Sequence, residues 1–167
     1  MSDEFRKEII LTWFNRAKKN YIGPVSGLNE GLFWADSLIY AWISFDSFTC
    51  LKFPNFRVDI RNEDFSIHFQ RLYEEHSFSD RFKKSRVGIV QYSIPDMRPG
   101  STNEPFKIQD PRKLSEIIKA IYNVRCNLFH GGKEVNNKEA RDLIKYASEL
   151  LYEILEVVLQ REKIIEQ

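Results

Sequence analysis

The segment from Leu32 to Phe53 constrains the fold most, because its apolar residues do not keep to one face. The predicted helix runs from about Asn29 to Phe53, and its large apolar side chains are Phe33, Trp34, Leu38, Ile39, Trp42, Phe45 and Phe48. A helix that is apolar all round lies at the centre of a bundle or at an oligomer interface. The stretch is nearly long enough to cross a bilayer, but Asp36, Asp46 and several serines favour a buried core helix.

Four further stretches have helical patterns, so the chain is predicted to be all-α. They run from about Asp3 to Asn20, Glu63 to Lys84, Asp110 to Gly131 and Asn137 to Lys163. Asn62, Asp110 and Asn136 are the predicted N-caps of the last three, with Pro111 at the first helical position after Asp110.

Two segments between these helices have other patterns. The short, β-branched stretch from Val87 to Ile94 favours an extended conformation. The stretch from Pro95 to Asp110 contains three prolines and a glycine, which indicates a long loop. Long loops in compact domains are often functional.

Composition and charge narrow the classes of protein. The 167 residues suit one domain spanning the whole chain, and a net charge of +1 excludes a large basic surface for nucleic acid. The basic run from Arg81 to Arg86 is interpreted as a solvated face. Cys50 and Cys126 lack C-x-x-C spacing, and no signal peptide is recognisable, so a reduced, cytoplasmic protein is expected. The histidines and cysteines lack metal-ligand spacing and there is no phosphate-binding loop, so no metal or cofactor is predicted.

Arg125 falls where the fourth predicted helix should be apolar. On a helical wheel with Leu114 at 0° and 100° per residue, Arg125 lies at about 20°, in the middle of the apolar stripe. A guanidinium keeps its charge, so burying it unpaired costs several kcal/mol. Either Arg125 pairs with Asp46 or Asp36 of the second helix, or it lines a cleft or dimer seam and meets an anion there.

His130 is the last residue before Gly131 and Gly132, at about 160° on the same wheel. The C-terminus of a helix favours the imidazolium, so His130 can be a proton donor or can simply interact with the helix dipole. On a straight helix Arg125 and His130 do not converge. They converge if the last turn unwinds at Gly131, or if two chains face each other across a two-fold axis.

The segment VRCNLFHGGK, from Val124 to Lys133, resembles the signature of HEPN domains (higher eukaryote and prokaryote nucleotide-binding). In that family an arginine precedes a histidine by a few residues near the end of a helix, as Arg125 precedes His130 here. A second instance of this spacing runs from Arg71 to His76 in RLYEEH. Unlike Arg125 to His130, it is not followed by two glycines and a long terminal helix. The resemblance implies an all-α, HEPN-like bundle of four to five helices, with a long Pro-rich loop before the motif helix.

The resemblance also implies a metal-independent endoribonuclease whose active site forms across a homodimer. The ribose 2′-OH attacks the adjacent phosphate, giving a 2′,3′-cyclic phosphate and a 5′-OH. Arg125 would then stabilise charge in the transition state, and His130 would act as general acid or base. Asn127 would orient the phosphate or the histidine, and Lys133 would bind the RNA backbone.

Two positions depart from the family pattern. Cys126 stands where the residue after the arginine is usually polar, and Asn127 is expected to supply the amide instead. Gly132 stands where some members carry a tyrosine that a partner nucleotidyltransferase modifies. The expected protein is a toxin or host-defence effector with a possible cognate antitoxin. Two alternatives are a non-catalytic HEPN-like module for dimerisation and RNA, nucleotide or partner binding, and an unrelated bundle in which Arg125 forms a core ion pair.

Overall fold

The structure, a computed structural model, describes residues 3–22, 30–52, 70–71, 74, 76–96, 100–129 and 137–166. Within these ranges lie five α-helices: α1 (Asp3–Tyr21), α2 (Glu30–Lys52), α3 (Asp80–Val90), α4 (Leu114–Phe129) and α5 (Lys138–Arg161). An isolated antiparallel bridge joins Ile94 to Phe106 in the segment between α3 and α4. The prediction of an all-α bundle is confirmed for the described part of the chain.

Helix α2 lies at the centre of the bundle and packs against α1, α4 and α5. Leu38, Ala41 and Phe48 have no exposed surface, and they belong to one hydrophobic cluster that contains residues of all five helices. The all-round apolar pattern is therefore satisfied inside a single chain. Among the described residues, no helix is sufficiently long and apolar to cross a membrane.

The small polar residues of α2 are satisfied by specific hydrogen bonds. The Ser44 hydroxyl donates to the carbonyl of Ile10 on α1 over 2.9 Å. The Ser148 hydroxyl of α5 donates to the Ser37 hydroxyl over 2.8 Å. A buried hydroxyl without a partner costs about 1–3 kcal/mol, so these bonds fix how α1 and α5 are seated on α2.

The structure around α3 differs from two sequence predictions. Of the helix predicted from Glu63 to Lys84, residues 70, 71 and 74 are helical and residues 77–79 are not, while residues 63–69, 72, 73 and 75 lie outside the described part. The helix begins after Ser79, an N-cap whose hydroxyl accepts a hydrogen bond from the Phe82 amide over 3.1 Å.

The β-branched stretch after Arg86 is helical as far as Val90 and not extended as predicted. Tertiary packing overrides the weak strand preference here, because Ile89 is fully buried in the core. Gly88 allows the close approach of α3 to α5, since a Cβ at this position would lie 2.5 Å from ring carbons of Tyr146.

Helix α4 begins one turn later than predicted. The first backbone bond of its ladder runs from the Ile117 amide to the Lys113 carbonyl. Asp110 instead closes a local turn, because its carboxylate accepts from the Arg112 amide and guanidinium over 3.0 Å. An Asp-Pro pair is typical of both helix starts and turns, so the sequence signal was ambiguous. The Leu114 amide has no acceptor within the helix because it lies in the first turn. It donates over 2.7 Å to the side-chain oxygen of Gln70 instead.

Helix α5 is capped by Asn137, whose side chain accepts from the Glu139 amide over 2.9 Å. The predicted cap, Asn136, lies outside the described residues.

Two buried carboxylates on α5 hold α3 and the end of α1 in place. Glu153 accepts hydrogen bonds from the hydroxyls of Tyr21 and Ser79 and from the Ser79 amide. One turn earlier, Glu149 accepts from the Ser85 hydroxyl and pairs with Arg81 at 3.9 Å. Burial and the neighbouring Glu153 raise the pKa of the Tyr21 phenol above its ordinary value. Polar contacts therefore attach α3 to the bundle alongside the apolar packing.

Candidate functional site

Arg125 lies near the C-terminal end of α4 and is partly buried between two aromatic rings. Its guanidinium carbon is 4.5 Å from the ring centre of Phe129 and 5.8 Å from that of Trp42 on α2. These distances are within the range of cation–π attraction. The Nε–H of Arg125 is buried and has no hydrogen-bond partner among the described residues.

The aromatic side of this site is itself held by packing. Trp42 is almost fully buried, and its ring centre lies 5.6 Å from Phe45 and 5.7 Å from Tyr122. Phe129 is 54% exposed although it is a large apolar residue. Arg125 thus lies between a fixed ring inside the protein and an aromatic ring that faces solvent.

Of the two carboxylates predicted to pair with Arg125, Asp36 is exposed and Asp46 is partly buried. Burial raises the pKa of the Asp46 carboxyl above its ordinary value of 3.8, and the nearby charge of Arg125 lowers it in part. Within the described ranges, no salt bridge joins Arg125 to a carboxylate. The guanidinium is therefore not sealed in a core ion pair with either residue.

The raised pKa of Asp46 predicts the sign of a pH effect on stability. Below pH 3.8 the carboxyl is protonated in both states, and as the pH rises through the folded-state pKa the protein loses stability. We expect Asp46→Asn to remove this loss, so the variant should unfold at higher urea concentration than the wild type at pH 7. At pH 3 the two proteins should unfold alike.

Asp36→Asn, at an exposed position of the same helix, is the matched control and should change stability little at either pH. If Asp46→Asn were instead less stable at pH 7, Asp46 and Arg125 would form a stabilising pair.

Asn127 is almost fully buried, and its Nδ2 donates to the Pro95 carbonyl over 2.8 Å. Two residues along a helix turn the side chain by about 200°, so Asn127 and Arg125 leave α4 on different sides. Its amide nitrogen holds the start of the long loop against α4. A role for Asn127 at the phosphate stays a prediction, and the structure does not bring it beside Arg125. Cys126 is a buried free thiol.

His130 and Lys133 lie outside the described residues, which end at Phe129 in this region. Their predicted roles stay predictions. The described residues contain no group of three histidine, cysteine or acidic side chains able to hold a metal ion.

Sequence reasoning missed the two aromatic residues of this site. Phe129 follows Arg125 by four positions, a spacing that places both on one face of a helix, so the signal was present. Trp42 comes from another helix, and only the packing of α2 against α4 brings it close. A guanidinium beside aromatic rings is a surface that can bind a phosphate and stack a base.

Comparisons with known proteins give no further assignment. No family model matches the chain, and no match is found among curated proteins or among solved structures. The resemblance to HEPN domains therefore depends on the sequence pattern around Arg125 and His130.

Proposed function

We propose that this protein is a metal-independent endoribonuclease of the HEPN type, with Arg125 and His130 in its active site. The observation that carries the proposal is the state of Arg125. It is partly buried, its Nε–H has no partner among the described residues, and no described carboxylate forms a salt bridge with it. Asp46 interacts with Arg125 through its charge alone, so the donors of the guanidinium are available to the phosphate of RNA.

The chemistry assigns one task to each side chain. A base removes the proton of the ribose 2′-OH, the new O2′–P bond forms, and the P–O5′ bond breaks as the 5′ oxygen receives a proton. The guanidinium of Arg125 has the fork of donors that suits the extra negative charge on the phosphoryl oxygens. Histidine is the side chain that most often donates and accepts protons near neutral pH, so His130 is the group proposed to exchange protons with the 2′ or 5′ oxygen.

The aromatic neighbours of Arg125 support a nucleic acid as the ligand. Phe129 exposes about half of its surface beside the guanidinium. Stacking of a base on an aromatic ring contributes about 1–3 kcal/mol and requires no particular base. A nucleotide could then place its base on Phe129 and its phosphate at Arg125.

The remaining parts of the proposal follow from the resemblance. A homodimer would bring two Arg125–His130 pairs to one groove, with Asn127 and Lys133 as accessory groups. The role would be that of a toxin or host-defence effector in the cytoplasm, with RNA as substrate and an antitoxin as partner. The exposed Phe129 at the end of α4 is compatible with a second chain at this position.

The test is cleavage of single-stranded RNA by the purified protein in EDTA. We expect fragments with 2′,3′-cyclic phosphate and 5′-OH ends, and we expect His130→Ala to lower the rate by about 10²- to 10⁴-fold. His68→Ala is the matched control, since His68 belongs to neither Arg-x4-His pattern. Equal rates for His130→Ala and the wild type would refute the proposal.

One observation favours the alternative of a non-catalytic HEPN-like module. Asn127 is used to hold the loop at Pro95, and Cys126 is buried, so both positions after Arg125 serve the fold. In that case the wild type would bind RNA, a nucleotide or a partner but would leave RNA intact in EDTA. The same cleavage assay therefore separates the two functions.

A further inference from the structure

A second candidate site lies at the opposite end of α4 from Arg125. An open cavity of about 540 Å³ is lined, among the described residues, by Glu74, His76, Ser77, Phe78, Phe82, Lys83, Arg86 and Arg112. This volume is in the range of pockets that bind small ligands. Leu114, at the start of α4, and Arg125 are separated by about 16 Å along the helix axis. The cavity is therefore distinct from the proposed cleavage site.

The charges of the cavity favour an anion. Lys83, Arg86 and Arg112 share the lining with one described carboxylate, that of Glu74, and beside the cavity Asp110 pairs with Arg112 at 3.0 Å. Lys83 pairs with Asp80 at 3.2 Å, but the Asp80 side chain is 99% exposed and such a pair is weak. Arg86 is then the cation of the lining that no described carboxylate pairs with, and it lies in a concave surface, where field lines concentrate.

Arg112 and Arg86 are held differently in the cavity, and both arrangements suit a phosphate. Arg112 is fixed in one orientation, because Asp110 accepts from its Nε and its Nη2 over 3.0 and 3.2 Å. Arg86 is partly buried, and no hydrogen bond or ion pair to a described residue engages it. One guanidinium is thus already oriented, and the other can use its full set of donors for a ligand.

The wall of the cavity is aromatic and well packed. Phe78 stacks on Phe82 with ring centres 3.9 Å apart, and His76 meets Phe78 edge-on at 4.9 Å. Phe82 is fully buried in the core, which fixes this wall relative to α3. The cations of α3 therefore stand on a rigid surface, which lowers the entropy lost on binding.

We propose that this cavity, the α3 pocket, binds the phosphate of a small phosphomonoester. The guanidinium of Arg86 can bind two phosphate oxygens in a bidentate manner, and Lys83 and the donors of Arg112 that Asp110 does not engage can bind the others. The assignment gives a role to Lys83 and Arg86 of the basic run, which the cleavage site leaves unused. It does not depend on ribonuclease activity.

The test is isothermal titration calorimetry of the whole protein with ribose 5-phosphate and with inorganic phosphate, using ribose as the uncharged control. We expect both phosphates to bind and ribose not to bind. Arg86→Gln should raise the Kd for ribose 5-phosphate about tenfold or more, through loss of charge-assisted hydrogen bonds. Lys84→Gln removes the same charge from a neighbouring exposed position outside the pocket and should leave the Kd unchanged.

A further experiment identifies whether the phosphate bound in the pocket belongs to an RNA end or to a free metabolite. A 5′-phosphorylated tetraribonucleotide is compared with its 5′-hydroxyl form in the His130→Ala background. Tighter binding of the phosphorylated form than of the 5′-hydroxyl form, with the difference lost in Arg86→Gln, would assign the pocket to an RNA end. Equal binding of the two forms would assign it to a free metabolite. Absence of phosphate binding at millimolar concentration, or equal Kd values for Arg86→Gln and Lys84→Gln, would overturn the proposal.

Discussion

Arg125→Gln is expected to lower the rate of RNA cleavage by about 10²- to 10³-fold, as removal of a single oxyanion donor does in other enzymes. The fold should tolerate the change, because Arg125 is partly exposed and forms no salt bridge with a described carboxylate. Its cation–π contacts with Phe129 and Trp42 account for about 0.5–2 kcal/mol. Initial rates of cleavage in EDTA and urea unfolding curves measure the two effects separately.

Lys119→Gln is the matched control for Arg125→Gln. Lys119 lies on the same helix and also stands over an aromatic ring, with its Nζ 4.9 Å from the centre of Phe106. It should lose comparable stability and retain full cleavage. Arg125→Lys keeps the charge but not the planar fork, so it should lie between the glutamine variant and the wild type.

A different outcome would contradict the placement of Arg125 in an active site. If Arg125→Gln lost about 3–5 kcal/mol of stability, the side chain would be half of a buried ion pair. If it kept full cleavage, Arg125 would not touch the reacting phosphate.

Glu153→Ala is expected to lower the free energy of unfolding by about 3 kcal/mol or more. The variant leaves the hydroxyls of Tyr21 and Ser79 and the Ser79 amide without their acceptor. A hydrogen bond to a charged group contributes about 1.5–3 kcal/mol, and because Ser79 is exposed and Tyr21 is partly buried, water recovers part of the three that are lost. For a chain of this size the melting temperature should fall by about 6–12 °C, as measured by calorimetry.

Glu156→Ala is the control on the same helix. Glu156 accepts one hydrogen bond, from the hydroxyl of Tyr152 four residues earlier on α5. Its removal should cost about 1 kcal/mol, because no other helix depends on it. Equal losses for the two variants would show that Glu153 does not attach α3 and α1 to α5.

The sequence predicted both ends of α1, α2 and α5 within two residues, because their apolar patterns are long and periodic. It was wrong on both sides of α3, because it ran one helix across residues 77–79 and made the stretch after Arg86 extended. There the hydroxyl of Ser79 and the packing of Ile89 decided the start and the conformation, and neither is visible as a period. It placed the start of α4 one turn too early because Asp110 favours a turn as well as a cap.

For the candidate site, the phase of α4 was enough to single out Arg125. The helical phase did not decide whether the guanidinium of Arg125 pairs with a carboxylate or lines a cleft. The position of α2 answered this by placing the Trp42 ring near Arg125 and a partly buried Asp46 close by, without a salt bridge to the described carboxylates.

The sequence by itself determined that this chain is an all-α bundle with an apolar central helix and a charged residue on the apolar stripe of α4. These properties follow from the helical period and need no partner. The tertiary structure decided which groups surround Arg125, that Asn127 holds the loop at Pro95, and that three cations line one cavity. Those facts depend on contacts between residues far apart in the chain, which no local period encodes.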